Sequence, residues 1–118
     1  MDVVEFREFC LGMEGVEEKM PFGKFARRFD STLVFYVCGH MFALCDIDDF
    51  TSVSIRLIEA EIDELFQTKS SVGRPRNPAL KLWASIMFGG DITDAEIYRL
   101  TRRAYEIVKA KYMAKKRS

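Results

Sequence analysis

Arginine, lysine and tryptophan gathered on one surface are the residue types that grip a phosphate backbone and stack on a base. This chain offers one such set: Arg56, Arg74, Arg76, Lys81 and Trp83. The cations would neutralise phosphates, and the Trp83 indole would stack on a base or pack against a sugar. Lys81 and Trp83 stand two residues apart, so on a strand they share a face. Arg74 and Arg76 lie in the stretch leading to that strand, Arg56 belongs to a separate one, and Arg27 and Arg28 would extend the surface from an earlier strand. A plainer arrangement accounts for the same residues. Trp83 packs beneath the second helix and the cations are solvated, an arrangement that a net charge of zero favours.

Other chemistry fails on spacing. His40, the single histidine, sits two residues from Cys38, but a Cys–His nucleophile needs a third group to orient it, and none is evident. It reads as a solvent-facing turn residue. Asp46, Asp48 and Asp49 lack the glycine and the distant glutamate of a calcium loop, and read as a polar turn that ends a strand. Gly89-Gly90 precedes a helix without the Lys-Ser or Lys-Thr pair of a phosphate loop. No catalytic residue, metal ligand or cofactor is therefore expected.

The elements that must position these residues centre on residues 33–45, two β-branched and aromatic runs about Gly39-His40. A two-residue loop opening with glycine predicts a type II′ hairpin that pairs Cys38 with Met41 and Phe35 with Leu44. Phe35, Val37, Phe42 and Leu44 then form one face. Asp2 with Glu5, and Thr93 with Glu96, have the spacing of capping boxes and open a short first helix and a long last one. Val3, Phe6, Cys10 and Met13 form the apolar stripe of the first, and Ile97, Leu100, Ala104, Ile107 and Val108 that of the last, flanked by Tyr98, Tyr105 and Tyr112. On the last helix Glu106 is placed to pair with Arg102. Residues 24–29 read as an irregular edge strand, 52–57 as a strand, 58–69 as a helix, 70–78 as a surface loop and 80–88 as a strand with Lys81, Trp83, Ser85 and Met87 on one face. The order α-β-β-β-β-α-β-α is that of an α+β protein, a two-layer antiparallel sheet with helices packed on it.

The 118 residues, 48% hydrophobic and 31% charged, suit one domain over 1–118. No apolar run approaches the roughly 20 residues of a membrane span, and the N-terminus lacks the basic and then hydrophobic regions of a signal peptide. Three cysteines without a disulfide spacing agree with a reducing, cytoplasmic setting. Charge is unevenly distributed. Residues 1–68 hold six Lys or Arg against fourteen Asp or Glu, a balance of −8, and residues 69–118 hold twelve against four, a balance of +8. Such a split suits a basic binding face, intramolecular pairing or head-to-tail association.

Several runs resemble the MmcQ/YjbR-like family of small bacterial proteins. They are Glu5-Phe6-Arg7-Glu8-Phe9-Cys10-Leu11 with Gly15-Val16-Glu17-Glu18, Met20-Pro21-Phe22-Gly23, Leu33-Val34-Phe35 through Gly39-His40-Met41-Phe42-Ala43-Leu44, Val53-Ser54-Ile55-Arg56, Trp83, and Ala104-Tyr105-Glu106-Ile107-Val108. The resemblance implies a CyaY-like α+β fold and DNA binding through paired wing-like strands, with no catalytic motif. The chain departs from the family at Leu80-Lys81-Leu82-Trp83, where an Asn-Lys-Lys-His-Trp-like run is usual, and at Ala104, where serine is usual. The expectation is a non-enzymatic DNA-binding protein, monomeric or weakly dimeric, using Arg56, Arg74, Arg76, Lys81 and Trp83. The alternative is a regulatory module that binds a protein or a small ligand and has no nucleic-acid role.

Overall fold

The computed structural model describes residues 1–20, 31–74 and 81–117, with side chains through residue 113. The edge strand expected at 24–29, with Arg27 and Arg28, and the candidate Arg76 lie outside the described residues. The described chain runs α1 (Val3–Leu11), β1 (Glu17–Lys19), β2 (Thr32–Val37), β3 (His40–Asp46), β4 (Ser52–Arg56), α2 (Glu59–Thr68), β5 (Val72–Gly73), β6 (Trp83–Met87) and α3 (Asp94–Arg117). Six antiparallel strands form one sheet in the order β1-β2-β3-β4-β6-β5. The α+β class follows the sequence pattern, with two short strands, β1 and β5, that were not among those expected.

Both expected caps form. Asp2 Oδ1 accepts from the Glu5 amide at 2.9 Å, satisfying a donor that α1 leaves unpaired, and Thr93 Oγ1 accepts from the Glu96 amide at 3.2 Å at the head of α3. Helix α3 then lies across β2, β3 and β4. The core between the layers is aromatic and branched: Phe6, Phe35, Phe42, Ile55, Leu57, Ile86 and Ile97 are fully buried. Phe6 meets Phe35 edge to face at 5.8 Å, and Phe42 meets Tyr105 the same way at 5.6 Å. Burying each such side chain contributes about 1.5–3 kcal/mol. Thr101, polar and fully buried in α3, donates its hydroxyl to the Ile97 carbonyl at 2.8 Å, so its burial leaves no unmet hydrogen bond.

The hairpin differs from its expected register. Its two turn residues are Cys38 and Gly39, with φ of 53° and 77°, which makes a type I′ turn rather than a II′ turn at Gly39-His40. Val37 therefore pairs with His40 and Tyr36 with Met41. Between Phe35 and Tyr36 the register shifts, and Phe35 pairs with Ala43, leaving Phe42 as the extra residue of a bulge. The bulge lets consecutive residues, Phe42 and Ala43, both enter the core, while Leu44 is only partly buried. Phe35, Val37 and Phe42 keep their expected face; Leu44 does not.

Strands β1 and β5 give no strand pattern in the sequence. Glu17-Glu18-Lys19 pairs with Tyr36-Phe35-Val34 at the sheet edge, and Arg7 of α1 reaches it through two hydrogen bonds to Glu18, at 2.7 and 2.5 Å. At the other edge β5 pairs with Ile86 and Ser85, and is held by a side-chain clasp around Asp91. The strand expected over 80–88 narrows to Trp83–Met87.

Candidate functional site

Strands β4 and β6 run antiparallel with Arg56 directly opposite Trp83, so two of the candidate residues form a cross-strand pair. Ala84 and Ile86 belong to the core, and Trp83 alternates with them onto the other face of the sheet. The indole is nonetheless only 6% exposed. A base-stacking platform needs an open face, so burial removes Trp83 from that role. Together with the C-terminal part of α3 it lines a cavity.

That cavity, of about 190 Å³, lies at the end of the sheet where β3 begins, β4 ends and β6 begins. Sheet residues His40, Met41, Arg56 and Trp83 line it on one side, and α3 residues Ile107, Val108, Lys111 and Tyr112 on the other. The turn that shifts His40 into β3 also brings its imidazole flat against the Tyr112 ring, centroids 3.3 Å apart and 7° from parallel. Lys111 places its ammonium 5.3 Å from the same ring. Arg56 is half-buried, and its guanidinium donates to the Leu57 carbonyl, which fixes the group at the rim. The lining thus holds two permanent cations, an imidazole and a phenol. Among the described residues it contains no carboxylate.

Arg74 and Lys81 are brought together elsewhere, in a neighbouring cavity of about 410 Å³ that they share with Glu59, Ile62, Asp63 and Leu82. Both are exposed, and the Arg74 guanidinium stacks over Phe66 at 4.8 Å. The five sequence candidates therefore split into Arg56 with Trp83, Arg74 with Lys81, and Arg76 outside the described residues.

Much of the basic face of α3 is already engaged. Arg103 donates to Glu61 of α2 at 2.7 Å, Lys109 lies 3.9 Å from Glu14 and donates to the Tyr105 hydroxyl at 3.2 Å, and Arg102 lies 5.6 Å from the centre of the Phe9 ring. Glu106 forms no ion pair among the described residues, so the expected Arg102–Glu106 pair is replaced by these contacts. Tyr98 packs 4.6 Å from Phe9, and buried Tyr105 donates its hydroxyl to the Glu14 carbonyl at 2.5 Å. Two of the three tyrosines are thus core flank, and the third belongs to the cavity. The heptad spacing of the tyrosines was the sequence signal for Tyr112; for Lys111, next to a basic tail, there was none.

Elsewhere the titratable groups are structural. Asp46 is the acceptor of a turn, taking the amides of Asp48 and Asp49 at 2.9 and 3.1 Å and the Ser31 hydroxyl at 2.9 Å. Among the described residues no group of His, Cys, Asp or Glu is placed to hold a metal ion. All three cysteines are free thiols. Burial pushes Cys45 up to about 12, with the Asp46 carboxylate adding to it, and Cys10 higher still, so neither is a nucleophile at neutral pH.

The described residues form a six-stranded antiparallel sheet with three helices, a small α+β protein with a cavity at the sheet's end that Arg56 and Lys111 line. The chain belongs to the MmcQ/YjbR family: the family model YjbR matches residues 11–107. Among solved structures it is similar to a Deinococcus radiodurans protein with a DUF419 domain, with a TM-score of 0.80 and 25% identity over 92% of this chain and 78% of that one. It is also similar in fold to a Pseudomonas syringae protein, with a TM-score of 0.70 and 14% identity over 92% of this chain and 99% of that one. No curated protein matches. Lys111 and Tyr112 lie beyond the matched segment.

Proposed function

We propose that this chain is a non-enzymatic binding module that takes a small anionic ligand into the cavity between the end of the sheet and α3. The observation that carries the reading is the lining. Arg56 and Lys111, with His40 beside them, line a partly enclosed volume that no carboxylate among the described residues shares. Charge-assisted hydrogen bonds from such cations are the stronger class. A volume of about 190 Å³ is below the roughly 300 Å³ at which drug-sized pockets begin, which limits the buried part of the ligand to one phosphate or carboxylate and a small apolar neighbour. Met41, Ile107 and Val108 supply the apolar wall. The three free thiols support a reducing, cytoplasmic setting, and no helix among the described residues is long and apolar enough to cross a membrane.

DNA binding is the second reading. It is favoured by the exposed Arg74 and Lys81 beside the same end of the sheet, although Glu59 and Asp63 share their cavity. Calorimetric titration with phenyl phosphate and with a short DNA duplex, each at about 50 mM and about 500 mM salt, separates the two. The cavity reading predicts phenyl phosphate binding that weakens at least about tenfold in Lys111→Met or Arg56→Met, the loss of one charge-assisted contact. Duplex binding that falls steeply with salt and with Arg74→Ala and Lys81→Ala, and that ignores Lys111→Met, replaces it with the second reading. Binding of neither probe refutes both.

A further inference from the structure

The neighbouring groove is chemically unlike the cavity. Its floor is apolar, formed by Ile62 and Leu82. Leu82 is 36% exposed, and Ile58, the residue before α2, is 42% exposed. Glu59 and Asp63 stand one helical turn apart on α2, so they form one acidic wall. Arg74 and Lys81 bring the opposite charge to the groove, the Arg74 guanidinium lying over Phe66 of the same helix. None of these four joins an ion pair among the described residues, where the pairs are the N-terminus with Asp94, Arg7 with Glu18, Arg103 with Glu61 and Lys109 with Glu14. Complementary charges thus line one groove without pairing there.

We infer that this groove is a self-association surface, and that its partner is a second copy of the chain. An isologous interface sets one patch against itself, so the patch must complement its own image under a two-fold rotation. A two-fold that sets Glu59 and Asp63 of one copy against Arg74 and Lys81 of the other satisfies this, whereas one that sets acid against acid does not, so the charges also choose the orientation. Leu82 and Ile58 of the two copies then cover each other. Two exposed apolar side chains per copy are few for a permanent interface, and the dimer is accordingly weak, reversible and sensitive to salt.

Sedimentation equilibrium from about 10 µM to about 1 mM protein, at about 50 mM and about 500 mM salt, reads the association directly. At low salt the mass is expected to rise from 13.7 kDa toward twice that value, and to fall back when salt is added. Asp63→Lys alone and Lys81→Asp alone each juxtapose like charges and should weaken the dimer at least about tenfold. The two together swap the charges of that one pair and should restore association to within about threefold of the starting protein. Lys111→Met should leave the dimer unchanged, so the outcome is independent of the anion-binding cavity. A chain that stays monomeric to the highest concentration at low salt overturns the inference and leaves the groove to another partner. Association that ignores both single variants, or that the combined variant fails to restore, overturns it as well.

Discussion

Asp91 and Ser71 hold each other from both sides. The carboxylate accepts from the Ser70 amide at 2.8 Å, from the Ser71 amide at 3.0 Å and from the Ser71 hydroxyl, while Ser71 Oγ accepts from the Asp91 amide at 3.0 Å. These hydrogen bonds, the Ser71 hydroxyl first, hold the Asp91 carboxyl well below the usual carboxylate range. A carboxyl lowered on folding stabilises the fold fully above its unfolded pKa of about 3.9, and that contribution disappears as pH falls through the lower folded value. Denaturant midpoints measured from pH 6 down to acid should therefore fall less with pH in Asp91→Asn than in the original chain. Gly90 sits against the same clasp, where a Cβ would lie 2.6 Å from Ser71 Oγ and 2.7 Å from Ser71 Cβ. Because Asp91 pins Ser71 in place, Gly90→Ala should cost about 1–3 kcal/mol by overpacking, read as a lower urea midpoint. The thiols give a second prediction. Cys10 and Cys45 are buried with raised pKa values and Cys38 is half-buried, so a thiol reagent at neutral pH should label Cys38 first and the other two only on unfolding.

At the scale of elements, the hairpin turn stores a small strain. Cys38 adopts φ of 53°, in the left-handed region that Asn and Gly occupy more readily, and Gly39 follows at 77°. Replacing Cys38 by Asn makes the Asn-Gly pair favoured in type I′ turns, and should stabilise the chain by up to about 1 kcal/mol in equilibrium unfolding. This turn also marks where sequence reasoning stops. Gly39 serves equally as the first residue of a II′ loop or the second of an I′ loop, so the run from Leu33 to Cys45 announces a hairpin without choosing its register. Capping was legible because Asp2 and Thr93 act on amides three residues away. The edge strands were not: Glu17-Glu18-Lys19 is polar and largely exposed, and Val72-Gly73 is two residues long and depends on Asp91, about twenty positions later. The candidate site was legible in its residue types, Arg56 and Trp83 included, but its far wall comes from Lys111 and Tyr112. Nothing local tells that this part of α3 lies over the start of β3.

Across the whole molecule the −8 and +8 halves do not simply cancel by contact. Arg103 to Glu61 and Lys109 to Glu14 tie the basic last helix to the acidic first half, and Arg7 to Glu18 lies within that half. Exposed pairs of this kind contribute about 0–1 kcal/mol each, so they tune the surface and leave stability to the aromatic core. They engage Arg103 and Lys109 of α3, while Arg56 and Lys111 line the cavity at the end of the sheet. A protein with zero net charge can in this way still hold a locally cationic cavity.

Trp83 is the chain's single tryptophan and lines that cavity, so its emission reports on the cavity alone. Titrating phenyl phosphate while following Trp83 fluorescence, with phenol as the uncharged control and Lys111→Met as the variant, tests the central claim most directly. Binding in the cavity predicts a saturable change with phenyl phosphate that phenol does not produce and that Lys111→Met loses or shifts at least about tenfold in concentration. An emission that stays constant, or that changes equally in the chain and in the variant, contradicts it.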